Sequence, residues 1–164
     1  MPILTSDIVY RLSGGAANND PAASLGGAKS STVAPANIFD DVSSAEAGAG
    51  DIEYRCIYVH NNHGTLTLQA PKIFIQANTP SATTTAAIGL GTSVQGGTEQ
   101  TVANEGTAPT GVTFSEPADF AAGIALGDIP AGGHRAVWIR RTITAGTAAA
   151  NDGFTLRVTG DTNP

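Results

Sequence analysis

The sequence contains few charged and few aromatic residues. Of its 164 residues, 13% are charged and 5% are aromatic, and the charged share is about half of the quarter that is usual in globular domains. Six arginines and two lysines are outnumbered by 14 acidic residues, so the formal net charge is −6. Binding to a phosphate backbone requires clustered positive charge. We therefore expect no nucleic acid as a partner.

Paired cysteines and long apolar runs are also missing. The single cysteine, Cys56, permits no disulfide within the chain. Residues 1–12 contain neither the basic segment nor the apolar run of a secretion signal. The uncharged stretch 73–98 is rich in threonine and glycine and is too polar for a membrane span. These features predict synthesis in a reducing cytoplasm and no membrane contact.

Small residues make up much of the chain. Glycine and threonine occur 20 times each, and alanine supplies 27 of the 67 apolar residues, which leaves 40 larger side chains for a core. This composition favours pleated strands and turns over helices. The length suits one domain, with a core one side-chain layer thick.

Short segments of alternating polarity, separated by turn residues, predict seven to nine strands. Two hairpins are predicted, one around the turn 61–64 and one that joins the last two strands. A single helix is predicted over 117–126, although Gly123 interrupts it. The pattern is typical of an all-β, antiparallel β-sandwich, either immunoglobulin-like or jelly-roll-like. The predicted strands are 8–12, 51–61, 65–69, 72–76, 84–90, 111–115, 135–144 and 154–159.

The first third of the chain differs in composition from the remainder. After the strand 8–12, residues 14–50 are mostly small and polar, which predicts an extended arm. Its larger apolar residues, Leu25, Ile38 and Phe39, must dock on the parent domain or on a neighbour, because ordering such a segment requires burial of apolar surface. Of the two, we predict that the arm and the strand 8–12 reach across to a neighbouring subunit. We divide the chain into an N-terminal strand and arm, 1–50, and a sandwich domain, 51–164.

Candidate catalytic and metal-binding patterns are weak. His60, His63 and His134 could supply three nitrogen ligands to zinc, but their spacing constrains the geometry little. The acids Asp40, Asp41, Glu46 and Asp51 do not follow the calcium-loop pattern. The segment Gly89–Val94 begins like a dinucleotide-binding fingerprint but lacks its third glycine. We expect no enzyme, no cofactor and no metal.

Positive charge is concentrated in the predicted terminal hairpin, which contains Arg135, Arg140, Arg141 and Arg157. Arg135, Arg140 and Arg141 fit two interpretations, namely contacts with carboxylates of another subunit or a strand-surface ladder with acids of the same chain. We include them as candidate interface residues, together with Leu25, Ile38 and Phe39. Trp138 is expected in the core.

Three stretches carry a resemblance to a known class of proteins: EYRCIYVHNNHGTLTLQ from Glu53, GDIPAGGHRAVWIRRTIT from Gly127 and GFTLRVT from Gly153. They resemble the immunoglobulin-like sandwich domains of viral and bacterial surface assemblies. With the opening RLSGGAANNDPAASLGGAKSS, the whole chain resembles small virion structural proteins of tailed bacteriophages. The two bridging cysteines of antibody domains are absent.

The resemblance implies a non-enzymatic role in the virion, in many copies. The expected function is capsid decoration, in which the protein binds and stabilises the major capsid shell as a cement protein. The expected partners are the major capsid protein or other virion proteins, and copies of the chain itself in a homo-oligomer, with a trimer favoured. A neck, tail or baseplate component is one alternative. A carbohydrate-binding module, with Trp138, Tyr54 and Tyr58 as its platform, is another.

Overall fold

The protein folds as an antiparallel β-sandwich, as the sequence predicts. A computed structural model describes residues 2–147, 149 and 152–162. Within these residues, no helix is long and apolar enough to cross a membrane. The strands are β1 (Ile8–Leu12), β2 (Gly26–Gly27), β3 (Asp51–Asn61), β4 (Leu68–Ala77), β5 (Thr84–Leu90), β6 (Glu99–Thr101), β7 (Ile124–Ala125), β8 (His134–Ile143) and β9 (Thr155–Thr162), and the helix is α1 (Ser44–Ala49).

Two sheets enclose the main core. The first has four strands in the order β1-β3-β8-β5, and the second has three in the order β7-β4-β9. Ile57 and Val59 of β3 meet Ile73 and Ile75 of β4 in this core. Strands β2 and β6 form a separate two-stranded ribbon.

The central strands β3 and β8 are buried on both faces. Odd-numbered residues of β3 line the main core, whereas Cys56 and Tyr58 point to a second cluster with Trp138. Leu25 and Val102, which flank the β2–β6 ribbon, cover this second cluster. Because β3 lies between the main core and the second cluster, it carries apolar side chains on both of its faces.

Neither predicted hairpin forms. Strand β3 pairs with β1 and β8, and β4 pairs with β7 and β9, so the turn 61–64 leads from one sheet to the other. Likewise, β8 lies in the first sheet and β9 in the second. The reason is that β8 is buried on both faces and needs neighbours on both edges, whereas β9 alternates between exposed and half-buried residues, as an edge strand does.

The predicted helix over 117–126 is also absent. This segment consists of turns and the short strand β7, and the carboxylate of Asp119 accepts a hydrogen bond from the N–H of Ala122. Gly123 lies tightly against Lys72, where a Cβ would come within 3.0 Å of that side chain. The predicted strand 111–115 is reduced to one bridge between Ser115 and Ile88.

Residues before Asp51 share the core of the sandwich. Strand β1 pairs with β3 over five residues, and Leu12, Ile38 and Phe39 are buried in the main core. The segment predicted to reach across to a neighbouring subunit thus docks on its own chain, because its apolar side chains complete the core of the sandwich. Its irregular backbone includes the ribbon strand β2, where Gly26 has a φ of +96° and a Cβ would fall 1.7 Å from the carbonyl oxygen of Gln100.

Candidate interaction surface

The histidines do not assemble a metal site. His60 and His134 lie opposite each other on β3 and β8, and burial lowers the pKa of both. His63 sits in the turn, where its Nδ1 accepts hydrogen bonds from the N–H groups of Thr65 and Leu66 at 3.2 and 3.0 Å. In the described part of the chain, no group of three converging ligands includes a histidine.

Five charged side chains form a network at one end of the main core. Arg55 contacts Glu105 and Asp40, and Arg141 contacts Glu53 and Asp40. Glu53 and Arg55 are each only 1% exposed, and burial raises the pKa of Glu53. Two guanidinium groups thus compensate most of the charge of three carboxylates.

The four acids weighed as calcium ligands are divided between different groups. Asp40 joins the arginine network, whereas Glu46 and Asp51 approach Glu53 from α1 and the start of β3. The carboxylate of Glu46 accepts a hydrogen bond from the backbone N–H of Ser43 and so caps α1. Capping thus engages Glu46 and ion pairs engage Asp40, whereas Asp51 accepts a hydrogen bond from the N–H of Ile52 at 2.7 Å and Asp41 is exposed.

The segment that resembles a dinucleotide fingerprint surrounds a carboxylate of the same chain. Glu99 accepts hydrogen bonds from the N–H groups of Thr92 and Ser93 at 3.2 and 2.8 Å. Burial alone would raise the pKa of Glu99, but the bonds from Ser93 and Thr92 outweigh it and lower the pKa to about 2. The N–H groups of this loop are therefore already bonded to the carboxylate of Glu99, an interaction that stabilises the fold.

The three arginines predicted as interface residues are engaged within the chain. Arg135 donates a hydrogen bond to the carbonyl of Ser93. The guanidinium of Arg140 lies 5.3 Å from the ring centre of Phe114, and Arg141 belongs to the charged network. Of these three arginines, Arg141 pairs with acids of the same chain, as the ladder interpretation expects, whereas the contacts of Arg135 and Arg140 fit neither interpretation.

The predicted apolar contact residues are also covered by the chain itself. Ile38 and Phe39 are only 6% and 7% exposed, and Leu25 packs against the second cluster. A surface for a partner must lie elsewhere. The aromatic platform is covered as well, because Trp138, Tyr54 and Tyr58 are buried in that cluster.

The chain covers most of its sheet edges with its own loops. Beside β1, the N–H of Leu12 bonds the carbonyl of Thr32 at 3.1 Å. Beside β5, Ile88 and Ser115 exchange backbone hydrogen bonds of 2.8 and 2.9 Å. These contacts remove two edges at which another strand could pair.

The longest open edge in the described part of the chain is that of β9, the last strand of the three-stranded sheet, whose opposite edge is the two-residue strand β7. The only neighbour of β9 in the sheet is β4, and within the described residues no backbone hydrogen bond reaches its other edge. Eight residues of this strand therefore present an open edge about 27 Å long at 3.4 Å per residue. Its exposed row consists of Thr155, Arg157, Thr159 and Asp161, and its half-buried row of Leu156, Val158, Gly160 and Thr162.

A groove lined by both apolar and polar side chains runs along this open edge. The groove has a volume of about 450 Å³ and separates β9 from the N-terminal residues and β1. Ile8 and Tyr10 on one side and Leu156 and Val158 on the other are only partly buried. Along this edge, the described residues do not close the gap between the two sheets. We name the open edge of β9 and this groove the β9 surface.

A second groove of about 530 Å³ lies near the charged network. Its lining includes Asp41, Asp152, Arg141 and the rings of Phe39 and Phe154. The two rings pack edge to face at 6.4 Å between centres. Loop segments line most of this groove, together with Thr84 and Ala86 of β5 and Arg141 of β8.

Comparisons of the chain with protein-family models, with curated proteins and with solved structures gave no match. Function is therefore inferred from the geometry of the chain and from the resemblance carried by its sequence. Sequence reasoning placed Arg157 in the terminal hairpin but did not select Leu156, Val158 or Asp161. The sequence did contain an indication of this surface, because the charged residues of the last strand, Arg157 and Asp161, lie on the same face when side chains alternate along the strand.

Proposed function

We propose that the protein is a non-enzymatic structural protein of a bacteriophage virion, most directly a capsid decoration protein that binds and stabilises the major capsid shell. The observation that carries this proposal is the β9 surface. It combines an open strand edge with an adjoining, partly apolar groove, in a chain that covers the edges of its other sheet. Such a surface suits strand pairing with another protein.

The polar chemistry of the chain supports an assembly role. Its buried ion pairs and loop hydrogen bonds, such as those of Glu53, Arg55 and Glu99, are used to hold the fold rather than to line a cleft. The resemblance of the sequence to small phage virion proteins supplies the class of assembly. The partners proposed are the major capsid protein and further copies of the chain.

A neck, tail or baseplate position is the second candidate, because the same surface would serve it. Copy number separates the two candidates. A decoration protein is present at a stoichiometry near that of the shell protein, whereas a neck or tail component forms one small ring.

The proposal is tested by quantitative mass spectrometry of purified virions from the phage or prophage that encodes the chain. We expect copies in a fixed ratio near that of the major capsid protein. A few copies per particle would move the protein to the neck or tail. Its absence from the particle would overturn the virion proposal.

A further inference from the structure

We propose that the β9 surface binds a second copy of this chain, with the two β9 strands antiparallel about a twofold axis at Thr159. This inference rests on the proposed function in one respect, since both take the β9 surface as the assembly surface. It names the partner and replaces the trimer expected from the sequence with a twofold dimer.

The exposed row of β9 fixes the register. In an antiparallel pair, residues that lie directly opposite each other point to the same face of the sheet. If the half-buried rows of both copies are to lie on one face, the twofold axis must therefore pass between a residue and the same residue of the second copy. With Thr159 on the axis, Arg157 of each copy lies opposite Asp161 of the other. The pairing thus joins two opposite-charge pairs and one threonine pair on one face, all favourable cross-strand neighbours.

Other registers lose this complementarity. An axis at Arg157 places two arginines opposite each other, and an axis at Asp161 does the same for two carboxylates. An axis at Val158 sets Arg157 against Thr159 and Asp161 against Thr155. Only the axis at Thr159 matches both charges of the strand.

The charges concerned are free to pair in this way. Arg157 and Asp161 are exposed, and neither makes an ion pair with another residue that the structure describes. The remaining arginines contact carbonyls, carboxylates or rings of the same chain within the described ranges. Among the described residues, Arg157 therefore meets a carboxylate only in the paired strands.

The half-buried row agrees with the same register. Val158 of each copy lies opposite Gly160 of the other, so the larger side chain meets a residue without one. Gly160 cannot carry a side chain in this fold, because a Cβ would come within 2.9 Å of the carbonyl oxygen of Gln69. The pairing places the two grooves side by side and covers apolar surface at Leu156 and Val158.

Charge exchange tests the register. Because each copy carries a net charge of −6, the mass is measured at physiological salt by light scattering over about 1–100 µM, the range expected for a small interface. We expect the wild type to become dimeric as its concentration rises. Arg157→Asp or Asp161→Arg alone should keep it monomeric, and the double exchange should restore the dimer.

Asp41→Arg is the matched control, because Asp41 is exposed and lies by the other groove. This variant should dimerise like the wild type. A wild type that stays monomeric throughout, or a double exchange that fails to restore the dimer lost in the single variants, would overturn the proposal.

Disulfide trapping tests the axis independently. Residues directly opposite in an antiparallel pair have Cα atoms about 4.5–5.5 Å apart, within the range of a disulfide. We expect Thr159→Cys to give a covalent dimer under mild oxidation. Thr155→Cys, the control, would be about 27 Å from its counterpart and should not. Cys56 is fully buried and takes no part.

Equal trapping at both positions, or none at Thr159→Cys, would contradict the pairing. The result is independent of the measurement on virions. Abundant copies in the particle with no trapping at position 159 would overturn the dimer and leave the virion role intact. Trapping at position 159 without copies of the protein in the particle would support the dimer and overturn the virion role.

Discussion

Replacement of Phe39 by alanine tests whether the segment before Asp51 docks on its own chain. Phe39 is 7% exposed, and its ring lies under two cations, with guanidinium carbons of Arg141 and Arg55 at 4.7 and 5.3 Å from its centre. Phe154 packs edge-on against it at 6.4 Å. The side chain therefore joins residues 38–42 both to the core and to the charged network.

The expected loss follows from these contacts. Truncation of a buried phenylalanine to alanine costs about 3–5 kcal/mol, a large part of the 5–15 kcal/mol, roughly, that stabilises a typical domain. Phe39→Leu keeps most of the apolar volume but removes the ring beneath the guanidinium groups. We expect this variant to lose about 1–2 kcal/mol.

The assay is urea unfolding followed by Trp138 fluorescence and circular dichroism, at a concentration at which the protein is monomeric. Val33→Ala is the control, because Val33 lies in the same part of the chain and is 54% exposed. Its free energy of unfolding should change by no more than about 0.5 kcal/mol. A loss below about 1 kcal/mol for Phe39→Ala would refute docking on the same chain and favour an arm that reaches a neighbour.

Three further predictions concern the core and its buried polar groups. Deletion of residues 2–50 should abolish cooperative thermal unfolding, because it removes β1 and the core side chains Leu12 and Phe39; a cooperative transition would contradict this. Glu99→Gln should lower stability at neutral pH by about 1–3 kcal/mol. The pKa of Glu99 in the folded protein, about 2, lies below its value in the unfolded chain, so the carboxylate stabilises the fold above about pH 4.5. In urea titrations, the difference in stability between Glu99→Gln and the wild type should therefore vanish as the pH falls to about 2. A difference that does not depend on pH would count against the hydrogen bonds to this carboxylate. Burial raises the pKa of Cys56, so a thiol reagent followed by absorbance should label it only after unfolding, and rapid labelling of the native protein would contradict its placement.

Local pattern identified several strands but not their partners. The bounds of β1, β3 and β5 match the predicted segments, because alternation and turn residues mark a strand wherever it lies in the fold. Strand pairing depends on which edges remain open after folding. The pattern of β8 predicts a strand without showing that both of its edges are taken by β3 and β5, and for that reason the predicted β8–β9 hairpin was wrong.

The contact surface was less predictable for a similar reason. Arg141 is adjacent to Arg140 in sequence, but its partner Glu53 lies 88 residues away. The sequence does not show that this arginine is already paired. Arg157 and Asp161 lie on the exposed row of β9, and recognising them required the knowledge that this strand is at an open edge.

The most direct test of the account is amide hydrogen exchange of the chain, compared between dilute free protein and the assembled virion. Assembly at the β9 surface should slow exchange of the β9 amides that point to the open edge, because those groups gain hydrogen-bond partners. Amides of β8, which already lie between two strands, should be unchanged. Unchanged exchange throughout β9, with new protection elsewhere, would contradict the central claim.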